Sequence, residues 1–68
     1  MDYQEFPDSS NIDAISHSET TLKVKFRHSG EYEYLDVPRS VFLQACNAPS
    51  IGTFIATNVK NKYKHRKL

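Results

Sequence analysis

The residues best equipped for chemistry lie at the end of the chain, where Lys60, Lys62, Lys64, Arg66 and Lys67 recur with no acid between them and with Tyr63 in their midst. Cations at that density neutralise phosphates, and an interleaved tyrosine can stack on a base. The segment therefore has the chemistry of a salt-sensitive nucleic-acid contact. Helix C-termini and solvated tails also favour such charges, so the cluster alone is a footprint. Residues 1–59 carry Lys23, Lys25, Arg27 and Arg39 against eight carboxylates, a net of −4, beside +5 for residues 60–68. The formal charge of +1 thus conceals two parts of opposite sign, which points to a polyanionic partner for one end.

Other candidates are weaker. Ser50, with Gly52 two residues on, opens a helical pattern. Free N–H groups at such a start attract an anion, although capping accounts for the serine by itself. Tyr32 and Tyr34 match in type the aromatic pairs that stack bases on other RNA-binding sheets. Cys46, His17, His28 and His65 are the remaining groups able to serve as nucleophile, base or metal ligand, and they fall on separate elements. No catalytic site, metal site or cofactor is expected from them. A lone cysteine forms no internal disulfide and fits a reducing cytoplasm. The start, Met1 to Phe6, is acidic where a signal peptide is basic, and no apolar run approaches membrane-spanning length.

These residues must be positioned by a short chain of 68 residues, enough for one domain with a single core. Its organising stretch is Thr20 to Val37, which reads as a β-hairpin. Leu22, Val24 and Phe26 alternate with Lys23, Lys25 and Arg27, and Tyr32 and Tyr34 alternate with Glu31 and Glu33. A three-residue turn over His28-Ser29-Gly30 sets Phe26 against Tyr32 and Val24 against Tyr34. It also sets Lys25 against Glu33 and Arg27 against Glu31. That register places the tyrosines in the core, under helices, and not on an exposed stacking surface.

Residues 1–8 lack periodicity and read as a loose arm. Ile12 to Ser16 is a short strand whose two isoleucines fall on opposite parities, so either a β-bulge turns both inward or the strand is covered on both sides. After the hairpin, Pro38 suits the first turn of a helix capped by Asp36 or the Val37 backbone, with Val41, Phe42 and Ala45 on one face and Asn47 as a left-handed stop. A second helix begins at Ser50 and carries Ile51, Phe54, Ile55 and Val59 at spacings of three and four. Glycine costs about 1 kcal/mol in a helix, so Gly52 implies close approach to another backbone. The basic tail either continues this helix or peels away as an arm.

The ordered series Ser10-x-Ile12, Leu22-x-Val24-x-Phe26, Tyr32-x-Tyr34, Val37-Pro38, Ala48-x-Ser50-x-Gly52 and Val59-Lys60-x-x-Tyr63 resembles the KTSC domain over roughly residues 9 to 66. That family is named for the C-terminal domain of some lysyl-tRNA synthetases and also occurs as small free-standing bacterial proteins. The resemblance implies a domain of unknown function for which RNA binding has been suggested, with no activity. His17 stands where relatives often have tyrosine, and Ala56 where an asparagine is common.

The expected architecture is α+β: a three-stranded antiparallel meander followed by two helices on one face (βββαα), with residues 9–68 as a single domain. The expected function is a non-catalytic cytoplasmic module that binds RNA through Lys60, Lys62, Tyr63, Lys64, Arg66 and Lys67. The alternative is a protein-interaction module or homodimer using Leu35, Leu43 and Leu68 or the edge of the first strand. Neither reading involves a membrane or a small-molecule cofactor.

Overall fold

Alternation in the central hairpin builds a sheet with one face for a core. In the computed structural model, which describes residues 2–68, the strands are β1 (Asp2–Glu5), β2 (Ile12–Ser18), β3 (Thr21–Phe26), β4 (Gly30–Tyr34) and β5 (His65–Lys67). The helices α1 (Arg39–Cys46) and α2 (Ile51–Asn58) lie between β4 and β5 in sequence. The five strands form one sheet in the order β1-β2-β3-β4-β5, antiparallel throughout. The α+β class with an antiparallel sheet and two helices is as expected, whereas the three-stranded βββαα meander is corrected to five strands.

The hairpin keeps its expected parity and slides by two residues. Leu22 faces Tyr34, Val24 faces Tyr32 and Phe26 faces Gly30, so Lys23 pairs with Glu33 and Lys25 with Glu31. The three-residue loop is Arg27-His28-Ser29, closed by Gly30 in the left-handed region at φ 85°. Arg27 has left the hairpin ladder because residues 6–13 recruit it. Its amide donates to Asn11 O at 2.8 Å, and its guanidinium meets Asp13 at 2.6 Å and donates to Ser9 O at 2.9 Å.

The parity conflict in β2 is resolved by a bulge. Ile12 pairs with Phe26 and Ala14 with Lys25, leaving Asp13 as the extra residue, and both Ile12 and Ile15 are buried. The stretch read as a loose arm is instead the edge strand β1 over Asp2–Glu5; Met1 lies outside the described residues. Strand β1 is polar on both faces, so it has no hydrophobic period to reveal it. Arg39 at the start of α1 ties it down by donating to Asp2 Oδ2 at 2.7 Å, which holds the Asp2 carboxyl below the usual carboxylate range.

The core fills the space between the sheet and the helices, from Ile12, Ile15, Leu22, Val24 and Tyr34 to Val37, Phe42, Ala45, Ile51, Ile55 and Val59. Pro38 itself is the N-cap of α1, and Asp36 takes a left-handed turn at φ 58° in place of capping. Asn47 stops α1 at φ −101°, outside the left-handed region expected of it; its side-chain amide donates to Leu43 O instead. Ser50 caps α2 by accepting from the Thr53 amide at 3.3 Å. A Cβ on Gly52 would sit 3.1 Å from Asn11 Nδ2, so the close approach is to the Asn11 side chain and not to another backbone. Among the described residues, no helix is long and apolar enough to cross a membrane.

One polar side chain enters this interior. His17 is 3% exposed, and its Nε2 donates to Val37 O at 2.7 Å, holding the chain beyond β4 against β2. His17→Ala leaves that carbonyl without its partner, so the expected loss is about 1–3 kcal/mol, read from the midpoint in chemical denaturation. An unchanged midpoint contradicts the role given to this bond.

Candidate functional site

The basic end of the chain is neither a helical extension nor a free arm. Val59 ends α2, with its amide and that of Lys60 both donating to Ile55 O, and the chain then turns through residues 59–63. It returns beside β4, where Tyr34 faces His65, Glu33 faces Arg66 and Tyr32 faces Lys67. Backbone bonds bracket the pairing, Leu35 N to Lys64 O and Leu68 N to Glu31 O, each 2.9 Å.

Strand alternation then sorts the tail between two faces. His65 and Lys67 fall on the face of Tyr34 and Tyr32, while Arg66 falls on the opposite face with Glu33. There the guanidinium donates twice to Glu33 Oε1, at 2.9 Å from Nε and 2.6 Å from Nη2. Glu33 stands between Arg66 on one side and Lys23 on the other.

On the helix-bearing face, four aromatic rings meet at the end of the core. Phe26 and Tyr32 pack edge to face with centroids 5.4 Å apart, and His65 lies 5.8 Å from Tyr32 and 5.6 Å from Tyr34. Tyr34 is buried, and that burial raises its phenol above the usual range. Phe26 and Tyr32 are half-buried and His65 is exposed. Together with Ser29 and Lys60 they border a recess of about 190 Å³. The Lys60 ammonium lies 5.7 Å from the centre of the Phe26 ring, within cation–π range. Lys67 runs toward Gly30, its Cε 3.8 Å from where a Cβ would stand there.

The six residues expected to contact nucleic acid are therefore divided. Lys60 and Lys67 flank the rings, and Lys62 and Lys64 are exposed on the turn that leads into β5. Tyr63 is half-buried against the core, and Arg66 is bound to Glu33 on the other face. Phe26 and His65, which are not among the residues expected to contact nucleic acid, also border the recess. The available signal was His65 and Lys67 at a spacing of two around Arg66, a strand period on residues whose positive charge suggested a tail.

The other candidates lie elsewhere. Ser50 and Gly52 line an open groove of about 570 Å³ between residues 4–11 and the α1–α2 connection. Glu5 and Asp8 border the same groove, an unfavourable setting for an anion. Cys46 also lines it, and burial pushes its thiol up, opposite to what an activated nucleophile requires. Leu35, Leu43 and Leu68 are exposed but sit on different elements, and the edge of the strand read as first is filled by β1.

The Glu33–Arg66 pair is the side-chain fastening of β5. Glu33→Gln is expected to speed amide exchange at Leu35 and Leu68 a few-fold while lowering global stability by less than about 1 kcal/mol, because Arg66 is largely exposed. Unchanged exchange at both amides would show that the pair does not fasten the strand.

A sequence model described as the KTSC domain matches residues 8–63. Among solved structures, the crystal structure of a KTSC domain protein from Yersinia pestis matches with a TM-score of 0.88 at 33% identity, covering 97% of each chain. No curated protein matches this sequence.

Proposed function

We propose that this chain, which belongs to the KTSC domain family, is a non-catalytic module that binds RNA through the lysines of its last nine residues. The observation that carries this reading is how the cations are partnered. All three arginines are engaged, Arg27 with Asp13, Arg39 with Asp2 and Arg66 with Glu33. Among the described residues no lysine forms a salt bridge; Lys23 and Lys25 face Glu33 and Glu31 across the hairpin, whereas Lys60, Lys62, Lys64 and Lys67 lie together with no acid among them. Exposed lysines, two of them beside half-buried rings, suit a partner that brings both phosphates and bases.

Phosphate contacts release counterions, so the affinity must fall as salt rises. With four lysines engaged, the slope of log K against log salt is about −3 for a single strand. In fluorescence anisotropy with a labelled single-stranded RNA, changing Lys60, Lys62, Lys64 and Lys67 together to Gln is expected to abolish measurable binding and flatten that slope. Equal affinity in the wild type and the variant rejects this reading.

A further inference from the structure

We propose that the recess among Phe26, Tyr32 and His65 seats one unpaired nucleobase, so that the protein prefers single-stranded RNA to duplex. This rests on the reading of the lysine cluster as an RNA interface and adds what lies between the lysines.

The rings form a cup. Phe26 and Tyr32 stand at 86° to each other, and His65 is tilted by 54° to Tyr32. A recess of about 190 Å³ falls below the roughly 300–1,000 Å³ of drug-sized pockets, a scale suited to a single ring system. Four of its six lining residues carry aromatic rings, Phe26, Tyr32, Tyr34 and His65, and Ser29 and Lys60 complete the border. The Lys60 ammonium lies 5.7 Å from the centre of the Phe26 ring, so a cation stands at the border of the recess.

Charge is arranged around the recess rather than inside it. Lys60 enters from the end of α2 and Lys67 from β5, so cations stand on two sides of the rings. A nucleotide in a single strand has a phosphate on each side of its base, so a base seated among the rings brings its phosphates toward the Lys60 and Lys67 ends of the recess. In a duplex the base faces are stacked within the helix, leaving the rings unused and only the lysines in contact. A polyphosphate offers charge with no base at all. Single strand, duplex and polyphosphate therefore separate ring contact from charge.

The test compares a short single-stranded RNA, a hairpin duplex of the same composition and inorganic polyphosphate, with binding read by competition anisotropy and ring contact by aromatic NMR. The single strand is expected to shift the ring signals of Phe26, Tyr32 and His65 and to bind at least about five-fold more tightly than the duplex. His65→Ala changes an exposed side chain, and its amide spectrum verifies the fold. It is expected to weaken single-strand binding about five-fold, with duplex and polyphosphate binding little changed and His65→Phe restoring the single-strand affinity.

Equal binding of single strand and duplex with unmoved ring signals, in a protein whose four-lysine variant still loses RNA, rejects the base seat and leaves the lysine interface standing. Loss of polyphosphate binding in His65→Ala equal to its loss of single-strand binding also rejects the seat, because the histidine then acts as charge. A wild-type protein that binds none of the three rejects both readings.

Discussion

Backbone pairing between β4 and β5 decides what the last residues of this chain are. Two flanking bonds, Leu35 N to Lys64 O and Leu68 N to Glu31 O, lay the basic segment along the sheet. Once it is a strand, alternation settles the rest: Arg66 turns to Glu33 on one face, and His65 and Lys67 turn to the tyrosines on the other. A free tail would spread its charge over a large volume. A strand holds cations and rings in one fixed arrangement.

The same strand explains how the sheet ends. An edge of unpaired N–H and C=O groups invites association, and short, charged strands blunt that tendency. Strand β5 has three residues, all basic, and β1 has four, polar on both faces. Covering helices lie on one face only, so the core is a single layer beneath α1 and α2. The family match ends at Tyr63, just before β5, while the Yersinia pestis structure covers 97% of this chain. The family model thus spans β2 to α2, and the rings of Phe26 and Tyr32 gain their third partner, His65, from outside that span.

How much could be read from the residues alone depended on burial. The inward set Leu22, Val24, Phe26, Tyr32 and Tyr34 was legible because burying one face makes parity expensive to violate. Register was not, since sliding by two preserves parity and both registers set a basic residue against Glu31 and against Glu33. The deciding contact was Arg27 with Asp13 and the Ser9 carbonyl, a tertiary interaction with no sequence period. Both edge strands escaped for a related reason: β1 and β5 bury little and carry polar residues on each face. The lysines were legible as charge, but Arg66 and Tyr63 were counted with them because one-dimensional clustering does not reveal which face a side chain takes. Ile12 and Ile15 signalled a bulge or a doubly covered strand, and pairing with Phe26 and Val24 selected the bulge.

The candidate site exists only if β5 is a strand, because that pairing brings His65 and Lys67 to the rings. The most direct measurement is NMR of the free protein, recording cross-strand nuclear Overhauser contacts between residues 31–35 and 64–68 together with amide exchange. Pairing of β4 with β5 predicts contacts between Tyr34 and His65 and between Tyr32 and Lys67, with slowed exchange at Leu35 and Leu68. Random-coil exchange over residues 64–68 with no such contacts would contradict it, because the lysines would then be a loose tail and the rings would have no third wall.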